Sequence, residues 1–130
     1  MKIKTILKTV GSLHLLLGVV LINMLIFSVD TIAPSIWSET LLFVRGFADV
    51  VAATNIGISL LLIISSSIRD YESAKKVLLG EFVLMSCLLI VALFNTINAG
   101  VFFDAGPPPP FWIVLIANPV LCSYGLLNGK

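Results

Sequence analysis

Four apolar stretches take up most of this chain and determine what it can fold into. They run approximately over residues 7–29, 40–65, 76–98 and 111–127. Each is close to the ~20 residues that an α-helix needs to cross a hydrocarbon core of about 30 Å. Because 58% of the 130 residues are hydrophobic and only 12% are charged, a soluble fold would lack the polar surface to cover its core. We therefore predict one all-α domain over residues 1–130, an integral membrane four-helix bundle.

The basic residues lie on one side of these predicted spans. Apart from Arg45, they precede the first span, connect the second to the third or end the chain: Lys2, Lys4, Lys8, Arg69, Lys75, Lys76 and Lys130. Cytoplasmic loops of membrane proteins keep positive charge. We therefore predict that both termini are cytoplasmic, in a multi-pass protein of a bacterial-type inner (plasma) membrane.

Arg45 and Asp49 are one helical turn apart inside the second stretch. On a helix this spacing stacks the two side chains on one face, where each partly offsets the desolvation of the other. We predict that this face points into the bundle, because the other residues on it are small or polar: Ala48, Ala52, Asn55 and Ser59. The pair is either an intramembrane ion pair that fixes helix packing or part of a ligand, ion or proton site.

A second polar layer is predicted closer to the cytoplasmic side. At a rise of about 1.5 Å per helical residue, His14, Asn55, Glu81 and Tyr124 lie at similar depth, one from each helix. His14 is expected to bond between helices, with ligand binding as the alternative. Glu81 lies about one turn beyond Lys76, so we predict an interface position beside a snorkelling lysine. If Glu81 points inward, His14 is its expected partner, and the pair could pass protons or hold a polar head group.

A run of four prolines before the fourth stretch is the most distinctive loop feature. The candidate contact residues in this segment are Pro107, Pro108, Pro109, Pro110, Phe111 and Trp112. Consecutive prolines favour a stiff extended segment, so we predict a spacer between the third and fourth helices. Pro110 is suited to a helix start, and the two aromatic residues to the membrane interface. The alternative is a docking surface for a partner protein.

The sequence lacks the residue patterns typical of thiol redox enzymes, metal sites and nucleic-acid-binding proteins. Cys87 and Cys122 fall in different stretches and form no Cys-x-x-Cys pair, and a single histidine with no local cluster falls short of a metal-ligand set. A net charge of +1 without a basic aromatic stripe argues against nucleic-acid binding. We predict no metal and no cofactor, although such a bundle can hold a bound lipid or quinone.

The second stretch carries a further pattern, Arg45-Gly46 followed by small residues up to Asn55 and Gly57. With the chain length and the four spans, this pattern resembles the broad group of small four-helix membrane proteins called DoxX-like. The resemblance implies a helical bundle and association with redox or lipid–quinone enzymes, and it carries over no catalytic residue. The tetraproline segment is not a feature of that group.

Two classes of function remain, with an enzyme ranked third. The first is a non-catalytic accessory or structural subunit, in contact with membrane lipid and with other membrane subunits or copies of itself. Short loops and the absence of a paired catalytic set favour it. The alternative is a small transporter or a lipid- or quinone-binding bundle with an intramembrane polar site. Its candidate residues are Arg45, Asp49, Asn55, His14 and Glu81.

Overall fold

Four α-helices account for nearly all of the chain that the computed structural model describes, which is residues 2–27, 38–99 and 109–129. Within these ranges the helices are α1 (Ile3–Phe27), α2 (Ser38–Ser65), α3 (Tyr71–Ala99) and α4 (Pro109–Asn128). Each is long and apolar enough to cross a membrane. The all-α fold class is therefore confirmed, and each predicted apolar stretch coincides with one of these helices.

The start of α3 differs from the hydropathy prediction. The helix begins at Tyr71, ahead of the predicted start at residue 76, and the preceding connection is only residues 66–70. The Asp70 carboxylate caps the helix by accepting a 2.8 Å hydrogen bond from the Ser73 N–H. Hydrogen bonds from Ser73 also lower the pKa of the Asp70 carboxyl. Hydropathy misses this turn because its charged residues, predicted to lie largely in a solvated loop, form a capped helical extension.

The helices pack in two pairs. The most extensive contact is between α1 and α2, followed by that between α3 and α4, and α1 also packs along α4. By contrast, α2 and α3 barely touch. The bundle is therefore closed around α1 and open between α2 and α3.

Glycines on α1 allow its close contact with α2. A Cβ atom built on Gly18 would lie 2.8 Å from Ile56 Cγ1 and 3.1 Å from the Ala52 carbonyl oxygen. One built on Gly11 would lie 3.1 Å from the carbonyl oxygen of Ser59. Small residues let membrane helices approach closely. The predicted interior stripe is confirmed at Ala52 and Ser59, which are both buried.

This contact predicts opposite effects of the same substitution at two glycines. We expect Gly18→Ala to destabilise the bundle by about 1–3 kcal/mol, because the new methyl group overpacks against backbone. Gly57→Ala on α2 is the matched control, since no atom lies within 4 Å of its built Cβ. It should be neutral or stabilising by up to about 1 kcal/mol. Thermal unfolding in detergent followed by circular dichroism measures both, and equal stabilities would contradict the close contact.

The core is divided into two clusters along the bundle. One surrounds the start of α1 and consists of Ile3, Ile6, Leu7, Val10, Leu62, Ala74, Leu78 and Cys122. The other consists of Leu17, Met85, Val114 and Leu115. In sequence, His14 lies between the α1 members of the two clusters, and Glu81 lies between the α3 members. A polar layer therefore separates two apolar ones.

Candidate functional site

His14 joins three helices through both of its ring nitrogens. Its Nδ1 atom lies 2.8 Å from Asn55 Oδ1 on α2, and its Nε2 atom lies 2.7 Å from Glu81 Oε1 on α3. His14 and Glu81 are both buried. The predicted interhelical bonding of His14 is confirmed, and its partners are two of the residues predicted to lie at its depth.

The hydrogen bonds of Asn55 determine where one proton sits. Its Nδ2 atom donates a 2.9 Å hydrogen bond to the Val51 carbonyl, so the Oδ1 atom that faces His14 can only accept. His14 Nδ1 therefore carries a hydrogen. The contact between His14 Nε2 and Glu81 Oε1 then requires one further proton, held by either the imidazole or the carboxyl group. In both arrangements the pair has no net charge, which reduces the free energy cost of burying it.

The interface position predicted for Glu81 is wrong, and the inward alternative is confirmed. Glu81 is buried, and its Oε1 atom contacts His14 Nε2 on α1 rather than a lysine. Its side chain therefore points into the bundle. Tyr124 does not join this layer, because its side chain is exposed.

The inward orientation predicted for Asp49 is also wrong. Asp49 is exposed, whereas Ala48 is half-buried and Ala52 is buried. Successive helical residues are rotated by about 100°, so the face that continues inward from Ala52 passes through Ala48 and leaves Asp49 outside. The side chain of Arg45 lies outside the described residues, and the predicted ion pair therefore stays a prediction.

The aromatic residues after the prolines contact the protein's own core. Phe111 and Trp112 are half-buried and pack against the cluster that contains Leu17 and Met85. The helix begins at Pro109, one residue before the predicted start. Residues 107 and 108 lie outside the described part, so the spacer and docking interpretations both stay predictions.

A cavity of about 450 Å³ extends from His14 to the opening between α2 and α3. All four helices contribute to its wall: His14, Leu17, Phe47, Val50, Val51, Thr54, Asn55, Ile58, Leu84, Met85, Leu88, Val91, Ala92, Asn95, Phe111, Val114 and Leu115. The wall is apolar except at His14, Thr54, Asn55 and Asn95. Residues of α3 from Leu84 to Asn95 form one side of this cavity.

The polar groups of the cavity retain hydrogen-bonding capacity. The Asn55 amide uses one N–H on Val51, and its second N–H is free to donate to a ligand. The Thr54 hydroxyl donates a 2.7 Å hydrogen bond to the Val50 carbonyl, and its oxygen can still accept. Among the described residues, no three of His, Cys, Asp and Glu come together. The arrangement therefore suits an organic ligand with an oxygen acceptor better than a metal ion.

Two buried polar side chains lack a partner within the described residues. They are the hydroxyl group of Ser59 and the whole amide group of Asn118. Asn118 was not among the residues singled out from the sequence, although an amide in an apolar stretch directly before Pro119 is a recognisable signal. Pro119 has no N–H, so the Leu115 carbonyl also loses its usual helical donor. This part of α4 is thus a second polar position, in sequence between the α4 members of the two core clusters.

Comparisons with protein family models, with characterised proteins and with solved structures give no match for this chain. The DoxX-like resemblance therefore stays an expectation from the sequence, and the function rests on the geometry of the site.

Proposed function

We propose that this chain is a multi-pass membrane protein that binds a membrane-soluble molecule in the cavity beside His14, without covalent chemistry. The ligand class is an apolar body with an oxygen-bearing head group, such as a lipid or a quinone. One observation carries the proposal: an apolar cavity whose polar groups include the half-buried amide of Asn55, held in place by His14.

The size and lining of the cavity support this ligand class. Its volume of about 450 Å³ lies within the range of roughly 300–1,000 Å³ typical of small-molecule sites. Such sites have mostly apolar walls and a few polar groups that orient the ligand. The free N–H of Asn55 selects a carbonyl, ester or hydroxyl oxygen. The weak contact between α2 and α3 leaves a lateral entrance through which a ligand can enter from the lipid.

His14, in the cavity wall, and Glu81, behind it, support the site. Because His14 donates to Asn55 Oδ1 and is itself held by Glu81, the Asn55 amide cannot rotate without breaking a buried hydrogen bond. A preorganised donor loses less freedom when it binds a ligand. We therefore assign His14 and Glu81 as positioning residues for Asn55.

We further propose that both termini of this membrane protein are cytoplasmic. The uneven placement of Lys and Arg supports cytoplasmic termini and a bacterial-type plasma membrane. In that orientation the His14 layer lies on the cytoplasmic side of the cavity, and the entrance between α2 and α3 faces lipid.

Tryptophan fluorescence provides the test. The chain has two tryptophans, so the variant Trp37→Phe leaves only Trp112, which packs against the cluster beside the cavity. If the ligand is a quinone, we expect a quinone analogue to quench Trp112 fluorescence up to a saturating concentration. If it is a lipid, we expect a phospholipid to raise the melting temperature of the protein up to a saturating concentration, without quenching. A matched amount of solvent carrier is the control. If neither ligand class gives a saturable response, the proposal is wrong.

An accessory-subunit role is the second candidate, and the exposure of Asp49 favours it. Asp49 lies only three residues after the start of the candidate span Gly46–Ser65, with its side chain outside the bundle. Apart from its own helix, no described atom lies within 4 Å of a Cβ built on the neighbouring Gly46. A charged side chain next to lipid is unfavourable unless a polar group or another chain covers it. A partner subunit or a second copy with a cationic group at this position would do so.

A further inference from the structure

A second pocket, of about 200 Å³, lies where α1 begins and the chain passes from α2 to α3. Seven residues line it: Lys2, Ile3, Lys4, Ile68, Arg69, Tyr71 and Ala74. Three of them are cationic and none is acidic. This pocket is separate from the cavity beside His14 and shares no lining residue with it.

The positive charge of this pocket is not neutralised by the described residues. None of Lys2, Lys4 and Arg69 forms an ion pair with a described carboxylate. The acidic residue next in sequence, Asp70, caps α3 by accepting the hydrogen bond from Ser73. The pocket therefore presents three exposed cations together, and their combined positive potential attracts anions.

The remaining wall of the pocket is apolar and anchored. Ile3 and Ala74 are buried members of the core cluster. The Tyr71 hydroxyl donates a 3.1 Å hydrogen bond to the Gly129 carbonyl, and the Lys75 ammonium lies 5.8 Å from the centre of the Tyr71 ring. The pocket thus combines exposed cationic side chains with a buried apolar floor.

We propose that this pocket binds the phosphate group of an anionic membrane phospholipid. Arg and Lys recognise phosphate through charge-assisted hydrogen bonds, and Arg does so in a bidentate way. Basic pockets between membrane helices on the cytoplasmic side suit anionic head groups. Free phosphate would use the same cations, but the apolar floor at the helix ends favours a lipid. This proposal rests on insertion in the membrane and is independent of ligand binding beside His14.

Lipid binding to the intact protein in a neutral detergent tests the proposal. Native mass spectrometry would compare phosphatidylglycerol with phosphatidylcholine, and inorganic phosphate would be added separately as a competitor. We expect Lys4→Gln/Arg69→Gln to weaken phosphatidylglycerol binding by roughly tenfold or more, since each basic residue near an anionic surface contributes appreciably. The matched control, Lys8→Gln/Lys76→Gln, removes the same charge from exposed residues outside the pocket.

Each outcome decides the proposal. A selective loss in the first double variant, with unchanged circular dichroism, supports it. Equal losses in both double variants would show general electrostatic attraction and overturn it. Equal binding of phosphatidylglycerol and phosphatidylcholine would overturn it as well. So would inorganic phosphate that displaces phosphatidylglycerol with an affinity equal to that of the lipid. None of the four substituted residues lines the cavity beside His14, so failure of the variants to differ leaves the proposed function unaffected.

Discussion

Replacing either His14 or Glu81 by leucine is expected to destabilise the bundle by about 3–5 kcal/mol, and replacing both by much less than the sum. Each single substitution leaves a buried polar partner without its 2.7 Å hydrogen bond. The double substitution removes both polar groups and leaves an apolar contact. The coupling between them is therefore expected to be large, as for residues in one buried network.

The measurement is a double-mutant cycle of unfolding in mixed micelles. Glu81→Gln is an informative fourth variant, because the amide keeps the size of the side chain and one hydrogen bond to His14 Nε2. The free energy of unfolding of Glu81→Gln should lie between that of the wild type and that of Glu81→Leu. Additive single losses would show that His14 and Glu81 do not interact, which would remove the support behind Asn55.

The second large effect is expected from filling the cavity. Ala92 is half-buried and lines the cavity wall on α3, so Ala92→Phe places a ring in the space assigned to the ligand. We expect this variant to lose most of its bound ligand while it still folds. Ile90→Phe is the matched control, because Ile90 is exposed on the same helix and outside the cavity. The amount of ligand that remains bound is the readout.

Hydropathy predicted the helices well because each is an uninterrupted apolar stretch of the length that crossing a bilayer requires. It could not place the start of α3, since Asp70 caps a turn of polar residues that have no apolar pattern. The interface position of Glu81 was predicted for another reason, its proximity to Lys76. Which way its side chain points depends on the rotation of α3, and only the packing of the helices turns it towards His14.

Helix rotation limited the prediction at Asp49. The small and polar stripe on α2 predicted the buried face from Ala52 to Ser59 correctly. The predicted face also included both Ala48 and Asp49, two neighbours separated by about 100° of rotation. Only packing against α1 determines which of the two points inward. The cavity was also beyond the sequence, because it depends on how little α2 and α3 touch.

Native mass spectrometry of the protein taken directly from its own membrane tests the central claim most directly, namely that the cavity beside His14 holds a membrane-soluble ligand. Wild type, Ala92→Phe and Ile90→Phe would be purified in the same mild detergent and their bound molecules released and identified. We predict one apolar, oxygen-bearing molecule per chain in the wild type and in Ile90→Phe, and its loss in Ala92→Phe. The same bound molecules in equal amounts in all three proteins, or none in any, would contradict the claim.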